Sequence, residues 1–176
     1  MQLHQIKIDF NAEHDRLLMS IATSDGQEVL LWLTRRCVKL LWPLFMKMVE
    51  ANATVQLQGS TPEARAALVG LEHEKAVEKV DFSKPYEQGS KNHPLGADPL
   101  LVARLQTRQD ESGNHVLTLL PMKGQGVNLN MDDRLLHSCC KLVQNAVARA
   151  EWDIKLELPQ SHLLAATELD RPRTLN

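Results

Sequence analysis

The stretch Gln27-Glu28-Val29-Leu30-Leu31-Trp32-Leu33-Thr34 decides the fold of this chain. Side chains alternate along a β-strand, so the aliphatic residues at 29, 31 and 33 share one face, whereas Leu30 and Trp32 share the other. A second apolar run at residues 16–23 precedes it, and Asp-Gly between two such runs predicts a β-hairpin. We therefore expect a hairpin that is apolar on both faces, with Leu18 on the same side as Leu30 and Trp32.

The sequence after this hairpin has the pattern of a capped helix. Thr34 is a suitable N-cap, because its hydroxyl can accept a hydrogen bond from a free amide of the first turn. Pro43 lies well inside the helical pattern and removes one backbone hydrogen bond, so we expect a kink or a break near residues 39–42. The apolar stripe that follows the cap consists of Val38, Leu41, Phe45, Met48 and Val49.

The second half of the chain repeats this order. Runs at residues 100–107 and 115–120 predict a strand pair, and a third strand leads to Asp132, which caps the last helix. The pattern Val29-x-Leu31-x-Leu33-Thr34-x-Arg36 matches Val127-x-Leu129-x-Met131-Asp132-x-Arg134. Two explanations stay open: an internal duplication, or the general pattern of a buried strand that leads into a capped helix.

These elements predict an α+β protein. Two β-β-β-α units form an antiparallel sheet with helices packed on one face, and a central extra helix lies between the units. That helix begins at Ser60-Thr61-Pro62-Glu63 and runs to about Val80, with a solvated stretch at residues 72–75. Residues 53–58 fit either a short strand or the end of a helix. The apolar edge that we expect for the extra helix consists of Ala64, Ala67, Leu68 and Leu71.

The predicted organisation is one compact domain or two packed halves. Residues 1–80 hold the first unit and the extra helix, and residues 100–158 hold the second unit, ending in a short strand at 154–158. Residues 81–99 are rich in Pro, Gly and polar residues, which indicates a flexible joint. Residues 159–176 show no period and predict a frayed tail.

Composition restricts the classes of function. The chain has 176 residues, of which 43% are hydrophobic and 24% charged, and its formal charge is −2. This slightly negative charge argues against a protein that coats nucleic acids and against a polybasic membrane anchor. No signal-like segment opens the chain, and the longest apolar run, at residues 40–46, is too short to span a bilayer. Three cysteines form no disulfide framework, so the sequence favours a cytoplasmic protein.

The outer face of the first hairpin is the candidate interaction surface. It carries Leu18, Leu30 and Trp32, and exposed apolar surface of this kind marks a contact site. Either another part of the chain covers this face, or it binds a protein partner or a second copy. Phe82 and Tyr86 are isolated hydrophobes in the joint, which either dock onto a partner or fix the joint to its own domain. The favoured function is a non-catalytic protein-interaction or assembly module.

A cluster of basic residues supports an alternative function, the binding of an anion or a nucleic acid. Two arginines and a lysine follow the N-cap of the first helix, where free amides and guanidinium groups suit a phosphate or a carboxylate. These side chains equally suit ion pairs with nearby Glu13, Asp15 or Glu28. The candidate anion-binding residues are Thr34, Arg35, Arg36, Lys39 and Arg134 of the second unit.

The sequence contains no signature of catalysis or of a cofactor site. It lacks the phosphate-binding loop and the motifs of hydrolases, kinases and zinc proteases. His137 and Cys140 lie three residues apart on the last helix, but two ligands do not complete a zinc site. Cys37 and Cys139 fall on buried stripes, where thiols are unreactive. We therefore expect neither a catalytic residue nor a cofactor.

Three stretches resemble a family of small uncharacterised proteobacterial proteins. They are residues 28–36 (EVLLWLTRR), 81–86 (DFSKPY) and 94–101 (PLGADPLL). The resemblance spans most of the chain up to the last helix. It implies a cytosolic bacterial origin and no known activity, cofactor or partner.

Overall fold

Two strand-strand-strand-helix units account for most of the chain, and the α+β prediction is confirmed. The structure, a computed structural model, describes residues 3–80, 84–87, 92–111 and 113–159. In chain order the elements are β1 (Leu3–Asn11), β2 (Arg16–Thr23), β3 (Glu28–Leu33), α1 (Arg35–Glu50), α2 (Ala53–Gln58), α3 (Pro62–Glu78), β4 (Leu100–Leu101), β5 (Arg104–Gln109), β6 (His115–Leu120), β7 (Val127–Met131) and α4 (Asp133–Ala150).

The predicted hairpin consists of β2 and β3. The strands pair antiparallel, with Met19 opposite Leu31 and Leu18 opposite Trp32. Gly26 in the connecting turn has a φ of 76°, a left-handed conformation that glycine adopts without strain. β1 pairs antiparallel with the other edge of β2. The first unit is therefore a three-stranded meander whose inner face points toward the helices.

The strand predicted at residues 100–107 is wrong as a single element. Leu100 and Leu101 form β4, which pairs in parallel with β3, and the amide of Val102 still donates to Trp32 O at 3.0 Å. The amide of Ala103 then donates to Leu120 O at 2.8 Å, and β5 continues along β6. Because the chain changes partner here, the strands form two sheets, β1-β2-β3-β4 and β5-β6-β7, rather than one.

Helix α1 begins as predicted and continues through its proline. The Thr34 hydroxyl oxygen accepts a hydrogen bond from the amide of Cys37 at 3.1 Å. The break expected near residues 39–42 is absent, because α1 is unbroken from Arg35 to Glu50. Leu41 and Phe45 beside Pro43 are fully buried. Burying each such side chain contributes roughly 1.5–3 kcal/mol, which offsets a proline cost of about 3 kcal/mol.

The connection between the units holds two helices. Residues 53–58 form the short helix α2, which excludes the strand that the sequence left open. On α3 the buried residues are Val69 and His73, whereas Leu71 is 46% exposed. The predicted apolar edge is therefore wrong at Leu71, while Leu68 packs against the core as predicted. The predicted solvation of residues 72–75 is wrong at His73. Alanines at several positions give α3 a weak period, so its sequence does not fix which side faces the core.

The two units share one hydrophobic core. Residues such as Leu31 and Phe45 of the first unit belong to the same buried cluster as Leu119 and Val143 of the second. Helices α1 and α4 run antiparallel, since Asn52 after α1 donates to the carboxylate of Asp133 at 2.7 Å. At the opposite end, the guanidinium of Arg35 lies 5.4 Å from the ring centre of Trp152.

The strand predicted at residues 154–158 is absent. This segment instead crosses the helices without joining a sheet. Its backbone carbonyls accept hydrogen bonds from the Gln144 side chain at 2.7 Å, through Leu156, and from the Trp42 indole at 3.3 Å, through Glu157. Because these side-chain bonds satisfy the carbonyls, no neighbouring strand is needed. The predicted tail lies outside the described residues from 160 onward.

Candidate interaction surface

The predicted apolar residues of the hairpin lie together on the outer face of the first sheet. Leu18, Trp32 and Leu101 form one row across β2, β3 and β4, because each lies opposite the next in the strand register. Leu30 lies two residues before Trp32 on the same face. We call these four side chains the outer patch. Leu18, Leu30 and Trp32 are half-buried, and Leu101 is 42% exposed.

The outer patch is separate from the core. The buried core cluster and the partly buried side chains packed against it do not include Leu18, Leu30 or Trp32. His14, from the turn between β1 and β2, contacts Trp32 edge to face, with ring centres 5.2 Å apart. The structure therefore places apolar side chains on both faces of the hairpin, and the helices of its described part cover only the inner face.

Tyr86 of the joint covers the other end of this face. Its hydroxyl donates to the Glu28 carboxylate at 2.9 Å, while burial and this carboxylate raise the pKa of the tyrosine. The amide of Glu87 donates to the Gln5 side chain at 3.0 Å. Tyr86 thus fixes its segment to the hairpin, one of the two roles predicted for it. Phe82, predicted to share that surface, lies outside the described residues.

The joint also follows the edge of β3. Gln27 forms a parallel bridge with Asn92, and the amide of Glu28 donates to the carbonyl of Asn92 at 3.0 Å. The side chain of His93 lies 4.0 Å from the Glu28 carboxylate. The described part of the joint is therefore packed against the first unit.

Charged side chains of both signs border the outer face. On β1, Lys7 and Asp9 form an ion pair of 2.6 Å. Arg16 lies at the start of β2, and Glu28 at the start of β3 is held by Tyr86. Positive and negative side chains balance along this border, so it does not select a partner of one charge.

The candidate anion-binding residues do not form one site. Thr34 uses its hydroxyl to cap α1. Arg35 contacts the carboxylate of Asp15 at 3.4 Å and the ring of Trp152, so the alternative of a local ion pair is the one observed. Arg36 and Lys39 are exposed on the first turns of α1.

Arg134 lies far from this cluster. It is in the first turn of α4, at the end where Asp133 meets Asn52 after α1. Arg35 lies at the other end of the same antiparallel helix pair. The pattern match between the two units relates the positions of Arg35 and Arg134 in the sequence. In the structure, the antiparallel packing of α1 and α4 separates them by the length of α1, about 24 Å at 1.5 Å per residue.

A groove between β1 and α4 is a feature that the sequence did not predict. It has a volume of about 1070 Å³ and is lined by β1 from residue 3 to residue 9 and by the α4 face that carries Arg134, Leu142 and Arg149. Lys79, at the end of α3, lines its flank. The β1 and α4 residues that line the groove lie more than 120 positions apart in the sequence. The spacing of apolar residues within one strand or helix cannot indicate such a contact.

The buried titratable groups include a histidine pair and three cysteines. His73 and His137 contact each other through their Nδ1 atoms at 3.1 Å. Burial raises the pKa of Cys37 to about 11 and of Cys139 to about 12, which disfavours the reactive thiolate. Among the residues that the structure describes, no three His, Cys, Asp or Glu side chains are placed to hold a metal ion.

Comparison with known proteins returns no match to a family, to a curated protein or to a solved structure. The resemblance to small proteobacterial proteins therefore stays a prediction. Within the described ranges, none of the helices combines the length and apolar character needed to cross a bilayer.

Proposed function

We propose that this chain is a non-catalytic assembly module, and that its outer patch binds a second copy of the chain. The observation that carries the proposal is the row Leu18–Trp32–Leu101 on a face that no helix covers in the described part of the chain. Apolar surface that is contiguous and partly exposed favours contact with another protein surface.

The border of the face supports a second copy as the occupant. Two copies that meet through the same face bring identical borders together. Lys7 and Asp9 form an ion pair, and the Glu28 carboxylate is buried against Tyr86, so that encounter brings no block of like charges together. A strongly charged partner would find no complementary field on this face.

The size of the patch determines how tight the contact is. Three strands spaced about 4.8 Å apart, with about three residues along each, give a patch on the order of 150–300 Å². A stable interface buries about 800 Å² on each partner. We therefore expect a weak and reversible dimer.

Sedimentation equilibrium over a concentration series tests this proposal. The wild-type chain is expected to associate, and Trp32→Lys or Leu101→Lys to remain monomeric because either lysine places a charge in the contact. Leu71→Lys is the matched control, since Leu71 is an exposed leucine on α3, away from the patch. A wild-type chain that stays monomeric at about 1 mM would refute the proposal. Association that both patch variants retain would also refute it.

A further inference from the structure

We propose that the groove between β1 and α4 binds an extended acidic peptide segment of another protein, which adds to the sheet as a strand beside β1. This site is distinct from the outer patch, because it lies at the edge of the first sheet rather than on its outer face. Three properties of the groove point to this ligand: its strand edge, its charge and its length.

The strand edge offers backbone hydrogen bonds. β1 is the outermost strand of its sheet, and it pairs only with β2 within the described residues. The Ile8 carbonyl points into the groove, since it accepts a hydrogen bond from Arg149 at 3.3 Å. Backbone groups of alternate residues point to the same edge, so the N–H and C=O of Ile6 also face the groove. Arg149 already satisfies the Ile8 carbonyl and Ile8 is only 1% exposed, so an added strand would pair beside the half-buried Ile6, toward the start of β1, and gain its affinity from those backbone groups.

The groove is basic although the chain as a whole is acidic. Five Lys or Arg side chains line it against two Asp, whereas the formal charge of the chain is −2. Asp9 is neutralised by Lys7 at 2.6 Å and Arg149 at 3.2 Å, and Asp132 accepts the amide of Leu135 as the cap of α4. The remaining basic side chains, which form no ion pair within the described residues, are Lys79, Lys84 and Arg134.

Both walls of the groove have the length of a short peptide. The β1 wall runs from Leu3 to Asp9, about 20 Å at 3.3 Å per residue. The α4 wall runs from Arg134 to Arg149, about 22 Å at 1.5 Å per residue. An extended peptide of about six residues fits this span. Apolar side chains such as Leu3, Leu135 and Leu142 line the groove and suit alternate apolar side chains of that peptide.

The probe for this site is a capped octapeptide of alternating glutamate and valine, titrated into the ¹⁵N-labelled full chain. Saturable shifts of the β1 amides are expected, together with slower hydrogen exchange of the Ile6 amide. The same peptide with N-methyl groups on alternate backbone nitrogens is expected to lose binding, because it cannot form the strand ladder. A lysine-valine octapeptide is expected not to bind, because it meets like charges.

Variants locate the binding site. Arg134→Glu and Lys84→Glu are each expected to weaken the peptide by about tenfold, the effect of about 1.4 kcal/mol. Arg108→Glu, a charge reversal at an exposed position of β5, serves as the control and is expected to leave the affinity unchanged. Trp32→Lys is also expected to bind the peptide normally, which separates this site from the outer patch.

Four results would overturn the proposal. They are the absence of saturable shifts at millimolar peptide, equal binding of the N-methylated or lysine peptide, tighter binding of a single-stranded DNA 12-mer, and an Ile6 amide that is already protected in the free chain. The last result would mean that another segment occupies the edge.

Discussion

The Nδ1 atoms of His73 and His137 lie 3.1 Å apart where α3 packs against α4. Both residues are buried, with exposed fractions of 8% and 3%. One ring nitrogen donates and the other accepts, an arrangement that two neutral rings satisfy. Burial, His137 and Lys141 lower the pKa of His73 to about 4. Burial also lowers the pKa of His137, opposed by Asp133 and Glu72.

This pair predicts a loss of stability in acid. A histidine whose pKa is lower in the folded chain than its ordinary 6.5 contributes its full stability above pH 6.5, and the unfolded chain gains protons first as the pH falls. The free energy of unfolding is therefore expected to fall by about 3 kcal/mol between pH 7 and pH 4 on account of this pair. Urea denaturation at a series of pH values measures it.

Two substitutions distinguish the effect of the histidine pair on stability from the effect of carboxylates that take up protons in the same pH range. His73→Gln keeps a hydrogen-bonding side chain but cannot take up a proton, so its stability is expected to depend less on pH than that of the wild type. His4→Gln, at an exposed position, is expected to keep the wild-type dependence. Identical pH dependence in all three chains would show that the buried pair does not contribute.

The contact of Tyr86 with Glu28 predicts a second stability effect. Glu28 is only 9% exposed, and its carboxylate accepts the tyrosine hydroxyl at 2.9 Å. Tyr86→Phe is expected to cost about 1–3 kcal/mol at pH 7, because it leaves a buried carboxylate oxygen without this donor. A double-mutant cycle with Glu28→Gln measures the coupling by chemical denaturation. A coupling energy near zero would mean that the bond does not hold the joint.

The three cysteines are expected to be unreactive in the native chain. Burial raises the pKa of Cys37 to about 11 and of Cys139 to about 12, and it also raises the pKa of Cys140. At pH 8 the thiolate fraction is therefore very small. Ellman's reagent is expected to modify no thiol in the native chain and all three in guanidinium chloride. Rapid modification of a native thiol would contradict this burial.

The shared core predicts that both units unfold together. Leu31→Ala in the first unit and Leu119→Ala in the second each empty a fully buried site, which costs about 2–5 kcal/mol. Far-ultraviolet circular dichroism and tryptophan fluorescence are expected to report one common midpoint in urea, shifted by either variant. Leu57→Ala, at a position 86% exposed, is expected to leave the midpoint in place. Two separate transitions would contradict a shared core.

Local sequence signals predicted the first hairpin and the main helix starts, but the strand predicted at residues 154–158 is absent. Asp25-Gly26 between apolar runs gave the hairpin, and Thr34 and Asp132 gave the two main helix starts. The two-residue strand β4 was missed because its pairing with Leu31 and Trp32 joins positions about 70 residues apart. Pro43 does not break α1, and propensity alone does not include the burial of Leu41 and Phe45 that offsets its cost.

The candidate sites were predictable only in part. Alternation along β3 placed Leu30 and Trp32 on one face, and their register with β4 added Leu101, which the sequence did not indicate. The groove required the packing of α4 beside β1, and the burial of His73 required the packing of α3 on α4. Such contacts arise from tertiary packing, so the spacing of apolar residues along one helix or strand does not predict them.

The most direct test of the assembly proposal is an isotope-filtered NOE experiment on a mixture of ¹³C-labelled and unlabelled chains at about 1 mM. The proposal predicts intermolecular NOEs between the Trp32 ring of one copy and the leucine methyl groups of Leu18, Leu30 or Leu101 of the other. Trp32→Lys is expected to abolish them. The absence of intermolecular NOEs at the outer patch, or NOEs only from another surface, would contradict the proposal.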